Sequence, residues 1–133
     1  MDAPIVVLDA CVLYPAALRD LFMRLAVAGL IQARWTDLIH EEWIDAVLRD
    51  RPDLERTDLE RTRRLMDEHA EGSLIRNFEH HIPSIHLPDP DDCHVLAAAV
   101  EEGAEWIVTW NGTDFPGGIA WGRSASRSRR PTS

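Results

Sequence analysis

The sequence contains no lysine, and all 14 of its basic residues are arginines. A response-regulator receiver domain needs a lysine beside its phosphorylated aspartate, and a P-loop needs a Gly-Lys pair after its glycines, so both classes are excluded. The Gly-x-Gly-x-x-Gly motif of a dinucleotide site is also absent after the first predicted strand. A haloacid-dehalogenase-type phosphatase needs a second aspartate two residues after its nucleophile, and Cys11 occupies that position.

Long apolar runs and paired cysteines are missing too. The longest runs, at residues 25–31 and 95–100, are far shorter than the roughly 20 apolar residues that cross a membrane. No basic segment precedes the N-terminal apolar run, so a secretory signal is not expected. Cys11 and Cys93 do not form a CxxC pair and are expected to be reduced thiols. These features predict a cytoplasmic protein without a membrane segment.

Positive charge is scarce in most of the chain. The formal net charge is −9; residues 1–122 carry 10 arginines against 23 acidic residues, or −13, and residues 123–133 carry four arginines, or +4. An acidic surface repels nucleic acid, so any chemistry on nucleic acid needs cations that neutralise the site. We expect one domain over residues 1–122, followed by a disordered Arg/Ser-rich tail over residues 123–133.

Short β-branched runs alternate with amphipathic segments along the chain. Strands are predicted at residues 4–8, 30–35, 73–78, 105–110 and 118–121, and helices at residues 16–29, 37–50, 52–69 and 91–103. This alternation predicts an α/β fold, a three-layer sandwich in which a central parallel sheet of four to five strands is flanked by helices.

Four acidic residues occupy positions where such a sheet carries its functional sites. Asp9 follows the first strand and Asp114 follows a later one, and the carboxyl ends of parallel strands form one edge of the sheet. Asp92 opens the last predicted helix, and Glu42 lies at the margin of the apolar face of its helix. Taken singly, Asp9 and Asp114 are also typical of turns, and Asp92 is typical of a helix cap. Glu42 by itself is typical of an exposed helix flank.

Converging carboxylates repel each other, and a hard divalent cation relieves that repulsion. Mg²⁺ or Mn²⁺ fits because both prefer oxygen ligands. As a candidate ligand, Asp91 ranks second to Asp92 because it neighbours His94 as well as the apolar Val95. Asp89 ranks third because two prolines flank it. Zinc is less favoured because three histidines lack ligand spacing, and we expect them on the surface or on a helix face: His80, His81 and His94.

Four short motifs stand in a recognisable order. They are VVLDACVL with Asp9, HEEWIDAVL with Glu42, DPDDCHVLAAAV with Asp92, and IVTWNGTDFP with Thr109, Asn111 and Asp114. In this order they resemble the PIN domain, the ribonuclease family that supplies many VapC-type toxins of bacterial toxin–antitoxin pairs. The resemblance extends from about residue 5 to residue 116.

The resemblance implies an endoribonuclease with a Mg²⁺ or Mn²⁺ site. Its metal ligands would be Asp9, Asp92 and Asp114, and Glu42 would be a further catalytic residue. Supporting roles fall to three more residues, Asp91, Thr109 and Asn111. The implied substrate is RNA, cut to leave a 3′-hydroxyl and a 5′-phosphate, and the implied partners are a cognate antitoxin protein and a second copy in a homodimer.

Two alternatives remain. Cys11 stands where the family often has asparagine, so the chain could be a catalytically impaired PIN-like module that acts by partner binding. It could also be a metal-dependent phosphatase or nuclease of a different α/β family. The arginines of residues 49–64 are interpreted first as a solvated helix face with pairs such as Glu60–Arg64, and second as a guide for an RNA backbone.

Overall fold

The computed structural model describes residues 3–86, 93–110 and 119–123. Its elements follow in the order β1 (Ile5–Leu8), α1 (Ala10–Leu13), α2 (Ala16–Val27), β2 (Gln32–Arg34), α3 (Asp37–Asp50), α4 (Arg56–His69), a 3₁₀ helix (Glu79–Ser84), α5 (Cys93–Glu102), β3 (Trp106–Trp110) and β4 (Ile119–Arg123). The predicted α/β class is confirmed, with a parallel sheet flanked by helices.

The strands form one sheet in the order β2-β1-β3-β4. β1 is parallel to β2, with Val6 opposite Ala33, and parallel to β3, with Leu8 opposite Val108. Because β1 is central, its side chains are covered on both faces, and Val7 and Leu8 are fully buried. The parallel order brings the carboxyl ends of β1 and β3 to the same edge of the sheet.

The predicted sheet of four to five parallel strands is wrong at its edge, because three of the strands among the described residues are parallel and β4 is antiparallel to β3. Only residues 111–118 separate these two strands. A parallel partner needs a crossover of about a dozen residues or more, whereas an antiparallel partner can follow a short connection. Chain length therefore decides the direction of β4.

The predicted strand at residues 73–78 reduces to one bridge. Trp35 and Leu74 form an isolated parallel bridge, in which Trp35 N donates to Ser73 O at 2.9 Å and Ile75 N donates to Trp35 O at 2.8 Å. Asn77 then adopts a positive φ of 57°. This left-handed conformation ends the extended run, since asparagine tolerates it and a strand does not contain it.

Helices cover the sheet and bury the large apolar side chains. α5 packs against β1 and β3, α2 packs against β2, and α3 packs against both α1 and α4. The core includes two fully buried tryptophans, Trp35 and Trp43. Thr36 begins α3 as its cap, because its hydroxyl accepts a hydrogen bond from Ile39 N at 3.0 Å.

A buried histidine joins α3 to α4, beside Trp35, the residue that follows β2. The Asp67 carboxylate of α4 accepts hydrogen bonds from Trp35 Nε1 at 2.7 Å and from His40 Nε2 at 2.9 Å. His40 Nδ1 accepts from Trp43 Nε1 at 3.0 Å, which places the imidazole proton on Nε2. Burial lowers the pKa of His40, and the hydrogen bond to Asp67 only partly offsets this effect. The neutral imidazole is therefore the form that the fold favours.

Within the described part of the chain, every helix is too short or too polar to span a membrane.

Candidate active site

Asp9 lies at the carboxyl end of β1 and begins α1. Its backbone N donates to Val108 O of β3 at 3.1 Å, so the strand pairing continues through this residue. Its backbone is extended, with φ −74° and ψ 161°, and its Oδ1 accepts from Ala10 N at 2.7 Å. Asp9 is thus a helix cap rather than a simple turn residue, and it also stands at the sheet edge where the sequence placed it.

The second carboxylate oxygen of Asp9 faces β3. Thr109 Oγ1 donates to Asp9 Oδ2 at 3.0 Å. Cys11 Sγ lies 3.2 Å from Thr109 Oγ1 and 3.7 Å from Asp9 Oδ2. The parallel register explains the contact, because Leu8 opposite Val108 makes Asp9 and Thr109 neighbours across two strands. Two side chains, Thr109 of β3 and Cys11 of α1, thereby fix the orientation of the Asp9 carboxylate.

Glu42 is positioned by α3 and bonded to α5. Its Oε2 lies 2.8 Å from His94 Nε2, while its side chain remains 44% exposed and that of His94 is 12% exposed. The expectation of a surface or helix-face histidine is therefore incomplete, because His94 bridges two helices. The partners are 52 residues apart, so no local pattern in the sequence indicates the pair.

One cavity connects the Asp9 region with Glu42. It has a volume of about 790 Å³, and its lining includes Ala10 and Cys11 of α1, Glu42 of α3, and the apolar surface of Trp43. The residues that follow Asp9 and the Glu42 carboxylate therefore border the same space. Among the described residues, however, neither Asp9 nor Glu42 belongs to a group of three side chains that could hold one metal ion.

Four predicted site residues lie outside the described residues: Asp91, Asp92, Asn111 and Asp114. The described part of the site therefore consists of Asp9 with Thr109 and Glu42 with His94. His94 is the second residue of α5, and Asp92 immediately precedes that helix in the sequence. The pairing of His94 with Glu42 thus brings the beginning of α5 against α3.

Arginines of α4 are engaged by carboxylates of α3. Arg56 contacts Glu41 at 2.5 Å and Asp45 at 2.9 Å, and Arg63 contacts Glu41 at 2.6 Å. The prediction that arginines of this helix form ion pairs with acidic residues is confirmed. Its example was wrong, because Glu60 pairs with Arg56 and Arg63 rather than with Arg64. The α3 carboxylates draw Arg63 toward the interface between the helices, and Glu60 joins it there.

Comparison with known proteins gives one match. A family model described as the PIN domain matches residues 5–113. No curated protein and no solved structure matches the chain significantly. The matched range includes Asp9, Glu42, Asp92 and Thr109, and it ends one residue before Asp114.

Proposed function

Because the chain belongs to the PIN domain family of nucleases, we propose that it is a metal-dependent endoribonuclease and the toxin of a toxin–antitoxin pair. The observation that carries this proposal is the Asp9 carboxylate, which strand pairing places at the sheet edge and Thr109 of β3 orients. A structural cap needs only the bond to Ala10 N. The second, inter-strand bond favours a carboxylate that is positioned for chemistry.

The donor set suits Mg²⁺ or Mn²⁺. An ionised carboxylate offers about four lone-pair positions, and the Ala10 amide, the Thr109 hydroxyl and the Cys11 thiol occupy three of those of Asp9. What remains is a lone pair on an oxygen atom, and hard cations prefer oxygen ligands. We assign metal binding to Asp9, Asp92 and Asp114. A bound Mg²⁺ or Mn²⁺ would lower the pKa of a water molecule and neutralise the scissile phosphate.

The proposed reaction is hydrolysis of an RNA phosphodiester. A water oxygen forms a bond to phosphorus in line with the P–O3′ bond, which breaks, and O3′ leaves with a proton as a 3′-hydroxyl while the new 5′-end keeps the phosphate. Glu42 orients the water or holds a second cation, and the His94 contact fixes its position on α3. Thr109 holds Asp9, and Asp91 and Asn111 support the remaining ligands.

The acidic body favours a role for cations in RNA binding. Residues 1–122 carry a balance of −13, counted as 10 arginines and 23 acidic residues. Arg51, Arg56 and Arg63 are paired with carboxylates, which reduces what they can offer to phosphates. We therefore assign phosphate recognition at the scissile bond to the metal site rather than to the arginines of residues 123–133.

Asp9→Asn tests the nuclease assignment. The variant keeps the shape of the side chain and its capping oxygen but loses the charge that binds a cation, so we expect RNA cleavage with Mn²⁺ or Mg²⁺ to fall about 100-fold or more. Asp20→Asn is the matched control, because Asp20 forms an exposed pair with Arg24 on α2. Cleavage by Asp9→Asn at the rate of the Asp20→Asn control contradicts the assignment.

The toxin role has a separate test in cells. Expression of the unmodified chain in a bacterial host should arrest growth, and Asp9→Asn should restore growth at equal protein level. Arrest by both forms would instead support a module that acts by partner binding. Exposed apolar side chains such as Leu21, Val27 and Leu30 are available for an antitoxin or a second copy to cover.

The impaired-module alternative rests on Cys11. Its thiol contacts both Asp9 and Thr109, and the family often has an amide side chain at this position. Cys11→Asn distinguishes the two candidates. If the natural chain lacks cleavage activity and Cys11→Asn has it, the chain is an impaired nuclease; if the natural chain cleaves RNA, the proposed function holds.

A further inference from the structure

Two neighbouring histidines and one glutamate converge at a place away from Asp9 and Glu42. His80 and His81 lie on the 3₁₀ helix, and Glu101 lies in the last turn of α5. His81 Nε2 is 2.9 Å from Glu101 Oε1, and His80 Nε2 is 3.6 Å from the same oxygen. The two imidazole rings are 4.1 Å apart between centroids. Both rings therefore direct Nε2 toward one carboxylate oxygen.

The spacing of these atoms matches a small metal site. One ligand atom from each residue lies within 4.8 Å of the other two. Ligands placed about 2.0–2.2 Å from a tetrahedral ion lie roughly 3.3–3.6 Å from each other. The observed N–O distances of 2.9 and 3.6 Å bracket that value, and the ligand atoms of His80 and His81 lie within 4.8 Å of each other. It is the one such group among residues 3–86, 93–110 and 119–123.

We propose that His80, His81 and Glu101 bind a Zn²⁺ ion, with water completing the coordination. Two imidazoles and one carboxylate are a zinc donor set, whereas Mg²⁺ prefers oxygen ligands throughout. The His80 side chain is 63% exposed, so solvent reaches the site. The proposal does not depend on the nuclease assignment, because it uses none of the residues of the candidate active site.

The bound ion joins the 3₁₀ helix to α5. These elements already pack against each other, and the ion adds a direct link between them. In the sequence, they flank residues 85–92, which include Asp91 and Asp92. The ion therefore ties the C-terminal end of α5 to the 3₁₀ helix, at the end of α5 opposite to its first residue, Cys93. In the sequence, two adjacent histidines do not have the spacing of a zinc motif. The site is recognised only in the structure, where Glu101 lies opposite them.

Native mass spectrometry and calorimetric titration with Zn²⁺ test the proposal. We expect one Zn²⁺ per natural chain, and loss of one ligand in His81→Ala or Glu101→Gln should raise Kd about 10-fold or more. His69→Ala removes an exposed histidine of α4 and should bind like the natural chain. A third variant, His80→Ala, should fold because the His80 side chain is exposed. Circular dichroism checks that each variant is folded.

Asp9→Asn separates this site from the candidate active site. Zinc binding that survives in Asp9→Asn and is lost in His81→Ala supports the proposal, whatever the result of the RNA assay. If His80→Ala, His81→Ala and Glu101→Gln all bind Zn²⁺ like the natural chain, the contact is only a hydrogen-bonded pair and the proposal is overturned. Loss of zinc in Asp9→Asn alone would equally overturn it.

Discussion

The Thr109 hydroxyl holds one oxygen of the Asp9 carboxylate across two strands. Its other contact is the Cys11 thiol at 3.2 Å, so the hydroxyl is the centre of a three-residue group. Hydrogen bonds to charged groups contribute about 1.5–3 kcal/mol. If catalysis depends on the orientation of Asp9, loss of the Thr109–Asp9 hydrogen bond should reduce the rate of catalysis more than the stability of the fold.

Thr109→Val removes the hydroxyl and keeps the shape of the side chain. We expect kcat/KM for RNA cleavage to fall about 10- to 100-fold, because each factor of ten corresponds to about 1.4 kcal/mol. Thr109→Ser restores a hydroxyl and should recover most of the activity. In thermal unfolding, the Tm values of both variants should lie within a few degrees of that of the natural chain. Equal activity in the valine and serine variants would show that Thr109 does not position Asp9.

Residue types and their places relative to strands predicted part of the site. Asp9 could be placed because it follows a strongly β-branched run, whereas Thr109 was indicated only by the resemblance of IVTWNGTDFP to a family motif. The Glu42–His94 contact could not, since its partners belong to helices whose packing no local pattern encodes. The role of Cys11 was visible only as a departure from a motif, and its contacts with Asp9 and Thr109 come from the structure.

At the scale of elements, His40 links α3 to α4 in its neutral form. Burial lowers the pKa of His40 below the value of about 6.5 that it has in the unfolded chain, despite the hydrogen bond to Asp67. The unfolded state therefore binds the proton more readily. The contribution of neutral His40 to stability is fully present above about pH 6.5, and it is lost as the pH falls through the folded-state pKa.

His40→Gln tests this pH dependence, because glutamine retains hydrogen-bonding groups but does not titrate. The natural chain should lose free energy of unfolding between pH 7 and pH 5, and the variant should lose less over the same range. Urea unfolding at both pH values gives the two differences, with His69→Ala as the control for an exposed histidine. An identical loss in the natural chain and in His40→Gln would exclude His40 as the cause.

Element type was more predictable than element partnership. The periodicity of α2 and α3 and the β-branched run of β1 are long enough to be read from the sequence. α1 has only four residues, Ala10–Leu13, which is about one turn and too short for a periodic pattern. The direction of β4 depends on the length of the connection before it. The strand predicted at residues 73–78 is cut short after the Trp35–Leu74 bridge by the positive φ at Asn77.

At the scale of the whole molecule, charge sets how RNA can bind. The net charge of −9 and the carboxylate partners of Arg51, Arg56 and Arg63 leave little free positive surface in the described part of the chain. The four arginines of residues 123–133 are the largest local excess of positive charge. Each phosphate neutralised on a single strand contributes about −0.7 to the slope of log K against log salt.

RNA binding should therefore depend weakly on salt. Four cationic contacts give a slope of about −3, whereas a protein with many phosphate contacts has a much steeper one. Fluorescence anisotropy with a single-stranded RNA, at a fixed Mg²⁺ concentration and varied NaCl, measures the slope; cleavage is avoided by using Asp9→Asn. A slope of about −6 or steeper would show that arginines of the acidic body contact the phosphates.

The central claim is that Asp9 belongs to a cation site, and the most direct measurement is a thermal-shift titration with Mn²⁺. It is made in a His81→Ala background, which removes the second proposed metal site, with and without Asp9→Asn. At about 100 times Kd, a ligand stabilises the fold by about 2.7 kcal/mol, which raises Tm measurably. The account predicts that the protein with Asp9 is stabilised and the Asp9→Asn form is not. Equal shifts in both forms, or no shift in either, would contradict it.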